Sequence, residues 1–139
     1  EPKNFGLHVE LCDLLIMEGQ IDDARQILDA IPEDTAGVEK PVSRLEFLDL
    51  AGDLAPLVEL QASSEAEPDN LQAKYDLAIR LVVEDQVEAG LEALLSIMRI
   101  DKTWQEELAR MTMIKVFNML GKGDEVATGY RRKMFGLLH

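Results

Sequence analysis

The chain has 139 residues, a formal net charge of −13 and 47% hydrophobic residues, with only 5% aromatic. This length suits one domain with a buried core, and the apolar content argues against disorder. The negative charge, without any basic stripe, disfavours nucleic acid and anionic membrane surfaces as partners. Cys12 is the only cysteine, so no internal disulfide can form, which agrees with a reducing, cytoplasmic compartment.

A turn led by glycine recurs at a constant spacing. Gly19 and Gly52 lie 33 residues apart, and a further step of 33 reaches Asp85. Periods of about 33–34 residues are typical of stacked helix-turn-helix repeats. The sequence therefore predicts an all-α protein of about eight helices, arranged as antiparallel pairs with a capping pair at the C-terminal end.

The first predicted pair covers about residues 4–31, and its first helix begins near Asn4 and ends at Gly19. A polar loop, Glu33–Pro41, separates this pair from the next. The first helix carries one apolar stripe at spacings of three, four and seven residues, which is typical of an amphipathic helix. The stripe consists of Leu7, Leu11, Leu14 and Leu15.

The second and third predicted pairs cover about residues 43–65 and 70–100. The sequence Ser-Arg-Leu-Glu at Ser43–Glu46 has the form of a capping box, so it predicts the start of a helix. Asp69 or Asn70 is the predicted N-cap of the helix that opens the third pair.

The fourth predicted pair, about residues 103–138, departs from the period. A second capping box, Thr-Trp-Gln-Glu at Thr103–Glu106, predicts its start, and Asp124 is the predicted cap of its second helix. A step of 33 from Asp85 reaches residue 118, whereas the break falls at Gly121. The register of this pair is therefore shifted.

Small and leucine residues recur where paired helices would cross. Leu77-Ala78 resembles the Leu-Gly/Ala pair in the first helix of the tetratricopeptide repeat, and Gly19 resembles its turn glycine. This resemblance implies a right-handed stack of helix pairs. The residues at the predicted structural positions are Gly19, Ala24, Gly52, Leu77, Ala78, Gly90 and Leu94.

Nearly all of the 139 residues are similar to the C-terminal region of bacterial thioredoxin-fused co-chaperones, the chaperedoxins. In that family a thioredoxin-like domain precedes the repeats, so we expect a chain that begins at Glu1 to be a fragment. The resemblance implies a holdase that binds unfolded clients and docks to a chaperonin or other chaperone. It rests on Asp69–Ala73 (DNLQA), Leu91–Leu95 (LEALL), Leu120–Asp124 (LGKGD) and Tyr130–Leu138 (YRRKMFGLL).

The C-terminal helix is the chaperonin contact that this resemblance implies. The residues concerned are Tyr130, Arg131, Arg132 and Phe135. An equally open alternative is that the basic run Arg131–Lys133 only complements the dipole of its helix.

The first helix of each pair is expected to line an inner groove. Its predicted lining is apolar and acidic, which favours apolar or basic extended segments as ligands. The alternative is that these residues pack against a missing domain or a neighbouring helix. The lining comprises Val9, Asp13, Ile16, Val42, Glu46, Asp49, Tyr75, Ile79 and Val82, of which Asp13, Tyr75, Ile79 and Val82 are the candidate binding residues.

No constellation of residues indicates catalysis, a metal or a cofactor. His8 and His139 are the only histidines, and Cys12 occupies an apolar position that suits a buried structural thiol. The sequence therefore predicts a protein-binding module and not an enzyme. The alternative is a passive scaffold or oligomerisation domain without client binding, and the oligomeric state stays open.

Overall fold

A computed structural model of the chain describes residues 5–138, and all regular structure in this range is helical. The all-α prediction with eight helices is therefore confirmed for these residues, while the predicted helix start at Asn4 lies outside them. In chain order the helices are α1 (Gly6–Met17), α2 (Ile21–Asp29), α3 (Glu39–Ala51), α4 (Leu57–Ala66), α5 (Leu71–Val83), α6 (Val87–Ile100), α7 (Leu108–Leu120) and α8 (Glu125–Leu138).

The turns after α1 and α5 share one backbone geometry. Gly19 has φ of 84° and Asp85 has φ of 65°, so both are left-handed. In each turn the amide of the following residue donates to the carbonyl five residues earlier, at 2.8 Å. This bond closes the helix end by satisfying a carbonyl that the helix leaves free. The matching turns confirm the predicted register between the first and third copies.

The turn after α3 is built differently, although the spacing predicts the same one. Gly52 has φ of −51°, which any residue can adopt, so the turn does not require glycine. Arg80 of α5 instead donates to the carbonyls of Ala51 at 3.0 Å and Leu54 at 2.9 Å. A cation at this end of α3 complements the negative pole of the helix and replaces the left-handed cap.

Helix pairing is regular at α1–α2 and α5–α6, but the predicted pair at 43–65 is not a packed pair. α3 packs on α1, α5 and α7, while α4 packs mainly on α5. α3 therefore does not pack on α4, the next helix in the chain, and packs instead on two later helices, α5 and α7. α8 closes the described part of the chain against α6 and α7.

The predicted capping box at Ser43 is wrong. α3 begins at Glu39, and Ser43 lies buried within it. Pro41 sits in the first turn of α3, where the missing amide proton has no helical acceptor and costs nothing. The predicted loop therefore ends before Pro41.

The second predicted capping box, at Thr103, is also wrong. The carboxylate of Asp101 accepts from the amide of Thr103 at 3.0 Å and from its hydroxyl at 2.7 Å, forming a turn. Three successive residues after it are left-handed, so α7 begins only at Leu108. These residues are Gln105, Glu106 and Glu107.

Two predicted caps are confirmed. The side chain of Asn70 accepts from the amide of Ala73 at 3.0 Å, and that of Asp124 accepts from the amide of Ala127 at 3.0 Å. Each bond satisfies one of the free amide groups at the start of its helix.

The buried side chains form two separate clusters. The larger cluster joins α5, α6, α7 and α8 and takes Phe47 and Ala51 from α3. The smaller cluster joins α1, α2 and α3, and its buried members are Cys12, Ile16, Ala24 and Leu45.

Small residues permit close helix crossing, as predicted. Ala24 and Ala78 have no exposed surface. A Cβ atom at Gly90 would lie 2.8 Å from Cγ2 of Val82 and 3.1 Å from the carbonyl oxygen of Ala78. α5 and α6 therefore approach at a distance that excludes a larger side chain at this point.

We expect Gly90→Ala to lower the free energy of unfolding, measured by urea denaturation. Overpacking costs about 1–3 kcal/mol, which exceeds the roughly 1 kcal/mol gained when alanine replaces glycine in a helix. The matched control is Gly129→Ala in α8, where an added Cβ meets no atom within 4 Å. This control should be stabilised, and equal stabilisation of both variants would contradict the crossing.

Candidate protein-binding site

The predicted inner groove is filled by the protein itself. α3, α5, α6 and α7 surround one core, because α3 and α6 each contact both α5 and α7. Tyr75 of α5 reaches into this core and its hydroxyl lies 3.0 Å from the hydroxyl of Thr112 in α7. The ring of Tyr75 also packs at a tilt against Trp104, with centroids 5.7 Å apart.

Three candidate binding residues of α5 are core residues. Tyr75, Ile79 and Val82 are 8%, 1% and 4% exposed. The prediction that they line an open groove therefore differs from the structure. The cause is the displacement of α3 onto α7, which covers the face of α5 that a regular array would leave open.

The acidic residues of the predicted groove lining form ion pairs with Lys or Arg side chains of neighbouring helices. Each ion pair joins two different helices, so these carboxylates already have partners within the protein. Asp13, the fourth candidate binding residue, is partly buried in such a pair. The pairs are Asp13 with Arg44 at 2.7 Å, Glu46 with Lys115 at 3.0 Å, and Asp49 with Arg25 at 2.8 Å.

A small cleft remains where the C-terminal ends of α1, α3, α5 and α7 meet. Its volume is about 220 Å³, below the roughly 300–1,000 Å³ of typical ligand pockets. Met17, Phe47 and Met119 are among its lining residues, and Arg44 at its wall is already paired with Asp13. The cleft is therefore smaller than the pockets that hold most ligands.

Tyr130 of α8 is the buried member of the predicted docking set. Its hydroxyl donates to the carboxylate of Glu92 in α6 at 2.9 Å, and the ammonium of Lys133 lies 4.5 Å from its ring centroid. Burial, followed by the hydrogen bond and charge of Glu92, raises the pKa of Tyr130 to about 12. Tyr130 therefore links α8 to α6 through this hydrogen bond.

The other members of the docking set lie on the surface of α8. The guanidinium of Arg131 lies 4.9 Å from the ring centroid of Phe117. Arg132 is exposed and has no ion pair among residues 5–138, and Phe135 is 50% exposed. Phe135 lies three residues after Arg132 and four after Arg131, so it neighbours both on the surface of α8. Their role in binding stays a prediction.

The apolar stripe predicted on α1 lies mostly in solvent. Leu7, Leu11 and Leu14 are 73%, 46% and 57% exposed. Of the predicted stripe, only Leu15 packs against the small cluster. The buried face instead consists of Val9, Cys12 and Ile16. The helix carries two apolar stripes, and both have helical spacing.

We define the α1 face as the outward side of α1. It also carries Met17, which is 64% exposed, and two exposed carboxylates. The sequence signal that could have identified this surface is the second apolar stripe of α1, which has helical spacing but is separate from the buried one. The α1 face comprises Leu7, Glu10, Leu11, Leu14, Met17 and Glu18.

Cys12 is the buried structural thiol that the sequence predicts. It has no exposed surface, and its sulfur donates to the carbonyl of Ala24 at 3.3 Å. Burial, together with the nearby charge of Asp13, raises the pKa of the thiol. Cys12 is therefore held in its protonated form, which is a poor nucleophile.

Among residues 5–138, no three His, Cys, Asp or Glu side chains are grouped so that they could hold a metal ion. None of the helices in the same range is both long enough and apolar enough to cross a bilayer.

Comparison with known families agrees with this architecture. Residues 50–139 match a tetratricopeptide-repeat family model, and residues 1–45 match a second tetratricopeptide-repeat model. The chain therefore belongs to the tetratricopeptide-repeat family. A comparison with curated proteins finds no match. Tetratricopeptide repeats typically mediate protein–protein binding and are generally non-catalytic, so the class of this protein is an interaction module.

We expect the phenol of Tyr130 to ionise near pH 12 and not near its ordinary value of about 10. Because folding raises the pKa of Tyr130, its hydrogen bond to Glu92 stabilises the folded state fully below a pH of about 10. This stabilisation is lost as the pH rises toward 12. The measurement is the phenolate absorbance of the protein minus that of Tyr130→Phe. Since Tyr75 is the only other tyrosine, this difference isolates Tyr130. Ionisation near pH 10 in the folded protein would contradict the burial of its hydroxyl.

Proposed function

We propose that this chain is the protein-binding repeat region of a thioredoxin-linked co-chaperone of the cytoplasm. It holds unfolded clients and passes them to a chaperonin or other chaperone. The observation that carries the proposal is the α1 face, where four large apolar side chains stand in solvent on one helix. Contiguous exposed apolar surface of this kind marks interaction sites in otherwise soluble domains.

The closed core directs client binding to the outside of the array. Most of the side chains predicted to line a groove are buried or form ion pairs, and the cleft between the ends of α1, α3, α5 and α7 has a volume of only about 220 Å³. An unfolded client offers scattered apolar side chains and no fixed shape. A shallow apolar surface with flexible leucine and methionine side chains suits such a ligand.

The outer side of α8 supports the docking half of the proposal. Phe135 provides an exposed aromatic anchor, and Arg131 and Arg132 flank it with positive charge. Aromatic and arginine side chains are the residue types that dominate binding energy in protein interfaces. The partner surface that fits here is acidic and apolar.

We expect Leu7→Gln with Leu14→Gln to remove most of the suppression of aggregation of a heat-denatured enzyme, measured by light scattering. Both side chains are exposed, so the fold should change by no more than about 0.5 kcal/mol. The matched control is Val58→Gln in α4, a solitary valine that is 76% exposed. Equal suppression by both variants would exclude the α1 face as the client site.

We expect Arg132→Glu to weaken co-purification with a chaperonin by about fivefold or more, as reversing an interfacial charge does. Arg132 has no ion pair in the described part of the chain, so helicity should be unchanged by circular dichroism. Lys122→Glu, an exposed position just before α8, gives the same change in net charge. If both variants co-purify equally, docking through α8 is wrong.

A passive scaffold is the alternative function, and the uncovered α1 face is also the observation that favours it. A scaffold would use this face to form a stable complex with a folded partner. Size-exclusion chromatography would then show a defined complex that does not depend on the presence of unfolded protein.

A further inference from the structure

The α1 face combines apolar and acidic chemistry within one surface. Glu10 lies three residues after Leu7 and four before Leu14, and Glu18 lies four residues after Leu14. Residues at these spacings are neighbours on a helix surface. Both carboxylates are exposed and have no ion pair among the described residues. Both carboxylates therefore lie exposed beside the leucines.

Positive charge is scarce in residues 5–38, the described segment that contains the α1 face. Between residues 5 and 38 the only Lys or Arg is Arg25, and Asp49 engages it at 2.8 Å. Eight acidic residues fall in the same range, and only Asp13 among them is paired with a cation. The field over this end of the array is negative, which raises the local concentration of cationic ligands.

We propose that the α1 face selects client segments that are both apolar and basic. Leucine-like side chains of the segment pack on Leu7, Leu11 and Leu14, while its Lys or Arg side chains pair with Glu10 and Glu18. This inference rests on the proposed function, since it names the substrate class of the same surface. Acidic and phosphorylated segments are rejected by repulsion.

Charge complementarity also decides against a second copy of this chain as the occupant. Each copy carries a net charge of −13, so two copies repel. The outer side of α8 is locally basic, but it lies on a molecule with the same overall charge. A basic client segment gains attraction both from the two carboxylates and from the field around them.

The experiment measures binding of fluorescent amphipathic peptides by anisotropy. One peptide has Leu at helical spacing with Lys between, and two partners replace every Lys by Gln or by Glu. We expect the Lys peptide to bind about tenfold more tightly than the Gln peptide at low salt, the sum of two exposed ion pairs. The Glu peptide should bind weakest, and the Lys advantage should shrink as salt rises.

The variant Glu10→Gln with Glu18→Gln should abolish the Lys advantage while leaving binding of the Gln peptide unchanged. The control, Glu59→Gln with Glu65→Gln, makes the same charge change at exposed positions of α4 and should keep the advantage. A loss of the advantage in both variants would mean that only net charge matters, which overturns the inference.

The outcomes separate this inference from the proposed function. If the Lys and Gln peptides bind equally and both need Leu7 and Leu14, the basic preference is wrong and the client function stands. If no peptide binds, the client site itself is wrong. If sedimentation shows self-association that Leu7→Gln with Leu14→Gln removes, the occupant is a second copy and the inference is overturned.

Discussion

The contact between α3 and α7 is the constraint on which the rest of the structure depends. In a regular array each helix packs on its sequence partner and leaves its inner side open. Here α3 packs on α7 and not on α4, and its residues Phe47 and Ala51 lie in the main core. The inner side of α5 thereby becomes interior, and Arg80 closes the end of α3 in place of a glycine turn.

The helical repeat could be predicted from the sequence because its signals are local. Gly19 and Asp85 are residue types that favour the left-handed conformation of the turns in which they lie. The small residues at 24, 78 and 90 indicate positions where two helices cross closely. Helix starts were less predictable. The sequences that begin at Ser43 and Thr103 match the capping-box pattern, but neither residue lies at the N-cap of a helix. The displacement of α3 depends on long-range packing, which no local pattern records.

The binding surfaces were predictable only in part. The exposed side of α8 follows from residue spacing, whereas the burial of Tyr130 depends on Glu92, which lies 38 residues away. On α1 the two apolar stripes are equally regular, so periodicity could not decide which of them faces the core. The buried stripe is the one that packs against Ala24 and Leu45, and the positions of these two residues depend on how the helices assemble.

The separation of the two hydrophobic clusters has a consequence for local unfolding. α1 and α2 share the small cluster and reach the rest of the molecule mainly through α3. A small core opens at a lower free energy than a larger core that joins several helices, because fewer buried contacts resist its opening. Detachment of this hairpin would uncover Val9, Cys12 and Ile16 while α5 to α8 stay folded. Such an opening enlarges the apolar surface of the molecule and leaves its main core intact.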